Sequence, residues 1–208
     1  MANEPPLWTL ARKLQALSQT GLTYATNDYD RERYQTVAEI AAELMAQQSD
    51  TPVETFRQMF SDQGGYATPK VDVRAAVFRD GKILLVQEAS DGHWTLPGGW
   101  ADVNDSPREA AEREVVEESG FRVRATKLAA VYDRAKHPHT PPFPFHIYKL
   151  FFVCEIIGGE PKASHETLAA AFFPRDALPP LSATRISAEQ IDRMFKHVTR
   201  PDLPTYFD

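Results

Sequence analysis

The sequence predicts an α+β protein in which a small all-helical unit over residues 1–66 precedes a sheet-bearing domain over residues 67–208. Three observations carry that expectation. Apolar residues recur at helical spacing as far as about Tyr66, the pattern turns to alternation after Pro69, and two later segments open on capping boxes.

The helical stretch reads as three segments. Trp8, Leu10, Ala11, Leu14 and Leu17 form one apolar stripe, and Gly21 is placed to end the first helix. A second helix is expected over about 30–48, with Tyr34, Val37, Ala38, Ile40, Ala41 and Leu44 on a broad apolar face. A third is expected over 52–61, capped by Thr51 and closed by Gly64 and Gly65. Three helices in roughly 65 residues bury little by themselves, so the unit is expected to pack on the rest of the chain or on a second copy of itself. A homodimer contact, and a lid over substrate, are the roles this suggests.

After Pro69, Val71, Val73, Ala75 and Val77 alternate with Asp72, Arg74 and Ala76, and Arg79-Asp80-Gly81-Lys82 turns the chain into Ile83-Leu84-Leu85-Val86. That is a hairpin. Further strands are expected over 122–133, 146–156 and 170–173. Helices are expected over 107–119, opened by Ser106 with Glu109, and over 188–198, opened by Ser187 with Gln190. The proline-rich stretch 138–144 reads as an ordered or gating loop.

Composition narrows the function. A chain of 208 residues suits one domain with a smaller appendage, and 42% hydrophobic with 25% charged residues is ordinary for a globular protein. The net charge of −6 creates no field that gathers nucleic acid or an anionic membrane surface, so long polyanionic substrates are disfavoured. Cys154 is the only cysteine; its neighbours Phe151, Phe152 and Val153 make it a core residue, not a nucleophile. Met1 to Leu7 lacks a signal-peptide pattern, and no apolar run approaches the ~18 residues that span a bilayer, so the expected location is cytoplasmic, with no membrane partner.

The chemistry-bearing segment is Leu96-Pro97-Gly98-Gly99-Trp100, followed by a helix ending in Arg113-Glu114-Val115-Val116-Glu117-Glu118-Ser119-Gly120-Phe121. At about 100° per residue, Glu114 and Glu118 lie about 40° apart, and Glu117 sits about 60° to the other side of Glu114. Three carboxylates on one arc repel unless something positive offsets them. Hard oxygen ligands at this spacing suit Mg²⁺ or Mn²⁺. The same triplet taken alone also describes a solvated acidic face steadied by Arg113 and Glu117, with Glu118 facing the surface.

The wider context resembles the Nudix box, the signature of the Nudix hydrolase superfamily: Gly99, five residues, an acid at Asp105, seven residues, then Arg113-Glu114-Val-x-Glu117-Glu118-x-Gly120-Phe121. Six such positions at fixed spacing arise by chance in on the order of one chain in a million. Asp105 departs from the pattern, which has Glu there; the acid is kept with a shorter reach. The resemblance implies a mixed sheet sandwiched between helices, with the box as loop, helix and loop. It implies that the Gly99 carbonyl, Glu114, Glu117 and Glu118 hold the metal, Mg²⁺ or Mn²⁺, and that Arg113 orients the carboxylates. The segments 65–74 and 96–103 extend the likeness to a bacterial subgroup with an N-terminal helical extension, typically dimeric. That subgroup includes CDP-choline pyrophosphatase and ADP-ribose pyrophosphatase-like proteins.

The activity implied is metal-assisted attack of water on a diphosphate that links a nucleoside to another group. Glu114, Glu117 or Glu166 could accept the water's proton. Gly98 and Gly99 let backbone approach phosphate. Either Arg74 or Arg134 could clamp a diphosphate, or else form a surface ion pair with Asp72 or Asp133. Trp100 and Tyr148, with Trp94, Tyr132, Phe143 and Phe145, are candidates for stacking a base. His137, His139 and His146 show no zinc-like placement. Two other function classes fit less well. An RNA end-processing nuclease conflicts with the acidic balance, and a non-catalytic nucleotide sensor conflicts with the intact Arg113, Glu114, Glu117 and Glu118.

Overall fold

The computed structural model describes residues 5–208, apart from Ala163 and His165. They form two compact units: the residues up to Pro69 together with Pro142–His146, and Lys70–Pro141 together with Ile147–Asp208. None of the described helices is long and apolar enough to cross a membrane.

The first unit holds helices α1 (Pro6–Tyr24), α2 (Asp28–Ala46) and α3 (Val53–Ser61). The buried face of α1 is Trp8, Ala11, Gln15 and Ser18, the i, i+3, i+7, i+10 row of a 3.6-residue period, while Leu10 and Leu17 point outward. The single stripe drawn from the sequence therefore splits into two. Gly21 does not end α1: the helix runs on to Tyr24, and a Cβ at Gly21 would collide with the Tyr34 ring of α2. Glycine there permits the close approach of two helices. Nor does Thr51 cap α3, whose N-cap is Pro52 without a side-chain hydrogen bond. Asn27 caps α2 by accepting from the Asp30 amide at 2.9 Å. Trp8, Ala41, Ala42, Met45, Phe56 and Phe60 form the small core. Phe145 joins it, its ring 6.1 Å from that of Phe60, and Arg12 donates to the Phe143 carbonyl at 3.1 Å.

The second unit is a mixed sheet between helices. Strands β1 (Lys70–Arg79) and β2 (Lys82–Glu88) make the expected hairpin, turned by Asp80 and Gly81, both at positive φ. A two-residue strand β3 (Trp94–Thr95) pairs with β2, as does β6 (Thr167–Phe173). On its other side β1 runs parallel to β5 (Ile147–Gly159), which is antiparallel to β4 (Phe121–Asp133); β4 in turn pairs with a short β7 (Tyr206–Phe207). Helix α4 (Pro107–Ser119) is opened by the Ser106–Glu109 capping box and ended by Gly120 in the left-handed conformation. Helix α5 (Ala188–Thr199) is opened by Ser187 and Gln190.

Alternation along β1 assigns the two faces. Val73, Ala75 and Val77 pack with Ala110, Ala111 and Val115 of α4, whereas Ala76 packs with Ile83, Leu85 and, from α5, Ile191, Met194 and Phe195. Cys154 belongs to the α4-side core; burial pushes its thiol up to about 12, as an inert core cysteine requires.

Candidate active site

The segment from Leu96 to Ala101 runs alongside the start of β1 as an irregular extra strand. Val73 donates to the Gly99 carbonyl at 2.8 Å, Ala75 to the Pro97 carbonyl at 2.8 Å, and Ala101 to the Val71 carbonyl at 3.0 Å. Only glycine fits at position 98. Its φ is +143°, and a Cβ there would run into the Val73 carbonyl and the Arg74 backbone. The carbonyl of Gly99, expected as a metal ligand, uses one lone pair on β1, which leaves the other for a second partner.

Helix α4 brings two carboxylates to this turn. Glu118 accepts from the Gly98 amide at 2.7 Å. Glu114 lies so close to Gly99 that a Cβ on the glycine would stand 3.1 Å from both carboxylate oxygens. Glu118 is 4% exposed, so the surface-facing position read from the helical wheel is corrected: the turn and β6 cover it, and Thr167 donates to its backbone carbonyl at 2.8 Å. Burial raises the carboxyl of Glu114. It pushes that of Glu118 up to about 8, against the opposing pull of Arg74 and the Gly98 amide. These are groups with much to gain from an added cation.

Arg113 gathers the outer carboxylates. It donates from Nη1 to Glu114 at 3.0 Å and to Glu117 at 2.9 Å, from Nε to Asp105 at 2.9 Å, and reaches Asp102 at 3.3 Å. Its guanidinium is held charged above its ordinary value, with Asp105 the largest cause. Glu117 is more exposed than Glu114 and Glu118. Among the described residues, no three His, Cys, Asp or Glu side chains converge tightly enough to hold a metal unaided. The donor set of carboxylate and carbonyl oxygens, with two buried Glu groups short of positive charge, nevertheless fits a hard divalent cation. Such a cation keeps several waters and takes phosphate oxygens as its remaining ligands.

The other sequence candidates divide. Arg74 is buried and forks onto Asp72, at 3.0 and 2.7 Å, while Nη1 donates to the Leu96 carbonyl at 3.2 Å. The ion pair weighed for it at the surface is therefore an interior one. Arg134 is buried too, donating to the carbonyls of Pro141 at 2.9 Å and Thr184 at 3.3 Å. Trp100 and Tyr148 flank the start of β1: Trp100 bridges to Asp72, and Tyr148 is in register with Val71. They are 45% and 41% exposed. Two strand spacings put their backbones about 10 Å apart. Tyr132 is core, and Phe143 and Phe145 belong to the helical unit. Glu166 is exposed on the loop before β6, its carbonyl accepting from Ala89 at 3.0 Å. His137 pairs with Asp208 and His139 contacts Gln190.

Sequence reasoning missed Asp72 and Lys149 as parts of this site, along with Glu88. Glu88 is a buried carboxylate at the end of β2, raised by burial and paired with Arg185 at 3.0 Å. The signal for Asp72 and Arg74 was their alternation with apolar residues, which alone reads as a solvent-facing row. Only the parallel β1–β5 register, invisible locally, brings Lys149 to Asp72.

Comparison with known proteins agrees with this geometry. Residues 68–194 match the model of the NUDIX domain, and residues 5–60 match that of a UDP-X-like, N-terminal oligomerisation domain. The chain belongs to the Nudix hydrolase family. It is similar to the Bacillus subtilis protein called "Putative ADP-ribose pyrophosphatase YjhB", with 43% identity over 198 residues, 95% of each chain. A crystal structure of a UDP-X diphosphatase is 33% identical, with a TM-score of 0.63, and the match covers 96% of this chain and 97% of that one. That of an ADP-ribose pyrophosphatase from Streptococcus suis is 42% identical with a TM-score of 0.62, covering 68% of this chain and all of the other. This Nudix chain thus shares both of its units with the first two relatives.

Proposed function

We propose that this Nudix hydrolase splits the diphosphate bond of a nucleoside diphosphate linked to a second organic group, with CDP-choline and ADP-ribose as the leading substrates and Mg²⁺ or Mn²⁺ as the metal. The observation that carries the reading is the pair of buried carboxylates, Glu114 and Glu118, set against the Gly98-Gly99 turn. The printed activities of the relatives, ADP-ribose pyrophosphatase and UDP-X diphosphatase, support the substrate class.

In this reading Glu114, Glu117, Glu118 and the second lone pair of the Gly99 carbonyl would hold the cation. When bound, it supplies positive charge to the phosphate oxygens and lowers the pKa of a coordinated water. The chain's own groups do the rest. Arg113 keeps Glu114 and Glu117 aimed by donating to both. Gly98 and Gly99 leave room for phosphate beside backbone. Trp100 and Tyr148 offer exposed rings to the nucleoside. A carboxylate, Glu166 or one of the box glutamates, takes the proton of the attacking water. Residues 1–66 serve as the contact of a homodimer and as a lid.

A kinetic panel tests the proposal: kcat/KM with Mg²⁺ for CDP-choline, ADP-ribose, UDP-glucose, NADH, CTP and ATP. Organic diphosphates should lead, because Arg74 and Arg134 already serve acceptors within the protein and a γ-phosphate would add charge to a Glu-rich site. A triphosphate preferred by about tenfold or more would overturn the substrate class while leaving the metal site standing.

A further inference from the structure

A buried charged cluster organises the turn that carries Gly98. Lys149 of β5 stands opposite Asp72 of β1 in the parallel register, and Lys149, Asp72 and Arg74 are all buried. Lys149 donates from Nζ to Asp72 Oδ1 at 2.6 Å. Arg74 forks onto the same carboxylate and turns Nη1 the other way, onto the Leu96 carbonyl. Two residues on, the Gly98 amide donates to Glu118. A continuous chain of contacts thus runs from β5 through β1 and the glycine turn to α4: Lys149, Asp72, Arg74, Leu96, Gly98, Glu118.

Two cations share one carboxylate in the interior, with the buried Glu118 and Glu88 adding acidic groups on the side of Arg74. Burial opposes ionisation of Asp72, yet Arg74 and Lys149 outweigh it and hold its carboxyl at about 2. A cluster of this kind is a poor source of stability, since apolar replacements of similar volume are often neutral or stabilising. Orientation is what it supplies. A guanidinium with a planar fork fixed on one side has its remaining donor fixed on the other.

We propose that Asp72, held by Lys149, is a positioning residue for Glu118: it orients Arg74 so that the guanidinium fixes the Leu96 carbonyl, and with it the Gly98 amide on which the Glu118 carboxylate rests. As far as the metal is concerned, this rests on the function proposed above. The positioning itself rests on the contacts alone.

The test is the double variant Asp72→Asn/Lys149→Met, which removes one anion and one cation and so leaves the buried net charge unchanged. Background electrostatics then predicts unaltered cation affinity. Loss of orientation predicts about tenfold faster exchange of the Gly98 amide, and Mn²⁺ binding to the nucleotide-free protein weakened about tenfold by calorimetry, the value of roughly one lost hydrogen bond. The metal-free melting temperature should stay within a few degrees of the parent. Wild-type protection at Gly98 together with wild-type Mn²⁺ affinity in the folded variant overturns the proposal. Should the double variant fail to fold, Arg74→Lys keeps the charge and loses the fork, and the same two readouts decide with the same thresholds. If the parent itself binds no Mn²⁺, the metal reading fails, and the Gly98 exchange comparison still decides the positioning.

Discussion

Arg113 donates from Nε to the Asp105 carboxylate at 2.9 Å, eight residues back across the N-terminal half of α4. Asp105 is the one acid of the box that is a methylene shorter than the family pattern, and the contact forms all the same. Its role is to fix the far side of a guanidinium whose Nη1 serves Glu114 and Glu117. A side chain with one donor edge anchored loses less freedom in aiming the other.

Removing that anchor should therefore disturb the carboxylates without touching them. Asp105→Ala is expected to lower kcat on the order of tenfold, and Arg113→Lys, which cannot serve three acceptors in a plane, on the order of a hundredfold. Asp105→Glu, restoring the usual acid, should remain within a factor of about two of the parent. Steady-state kinetics at saturating metal measures all three. Full activity in Arg113→Lys would show that the guanidinium plays no orienting part.

Glu118→Gln separates function from stability. The amide oxygen can still accept from Gly98, so the turn keeps its contact, while a buried carboxyl already pushed up to about 8 is replaced by a neutral group. The metal-free protein should melt at or above the parent temperature at neutral pH, because the parent must take up a proton at Glu118 on folding, at a cost the neutral amide does not carry. Its kcat should fall on the order of a thousandfold. In the parent, EDTA should abolish turnover and Mg²⁺ or Mn²⁺ restore it, whereas restoration by Zn²⁺ alone would point to another site chemistry. A folded Glu118→Gln variant with near-normal turnover would remove Glu118 from the ligand set.

How much of this was legible in the sequence follows from which interactions are local. Helix α4, its capping box and its Gly120 end depend on residues within a few positions of one another, and the structure places them where the pattern did. The 79–82 turn is equally local. The split of the α1 stripe was also available, since 8, 11, 15 and 18 share a face at 100° per residue, but Gln15 and Ser18 are polar and so dropped out of an apolar search. Gly21 was misread because its reason, the Tyr34 ring, lies on another helix. The two-residue strands β3 and β7 carry too little pattern to register. At the site, the box residues were legible as motif, while Asp72, Lys149 and the burial of Glu118 depend on strand register and on β6, which no local signal encodes.

His139 gives the second unit an acid-sensitive element. Burial holds its imidazole at about 3, with Lys149 and Arg134 adding to the effect, and its ring meets Gln190 at 3.3 Å. A histidine whose folded value lies below its unfolded value near 6.5 favours the native state fully above pH 6.5. Below that the unfolded chain binds the proton first, so stability falls as pH drops toward about 3, by at most about 1.4 kcal/mol per pH unit from this one group. Urea titrations at pH 7.5, 6 and 5 should show the slope, and His139→Gln should flatten its share of it. An unchanged slope in that variant would assign the acid sensitivity elsewhere.

The last prediction concerns the helical unit, whose model match carries the description of an oligomerisation domain. Leu10 and Leu17, 53% and 63% exposed, are seven residues apart on α1 and so lie about 20° from one line along the helix, opposite the buried Trp8 row. Fully burying a leucine side chain is worth about 1.5–3 kcal/mol, so a contact covering both would contribute several kcal/mol to association. A glutamate in their place forfeits that and adds a charge to be desolvated. Sedimentation of the parent should therefore show a dimer at micromolar concentration, and Leu10→Glu/Leu17→Glu should weaken dimerisation by at least about a hundredfold. The α1 core row is untouched by these changes, so helicity and the melting of each unit should be retained, and a monomeric variant can be assayed. Normal turnover in that monomer would confine the helical unit to assembly. A raised KM with kcat preserved would indicate that the unit, or the partner's copy of it, contacts the substrate away from the reacting bond. A parent that sediments as a monomer, or a double variant that dimerises as tightly as the parent, would place the contact away from this face.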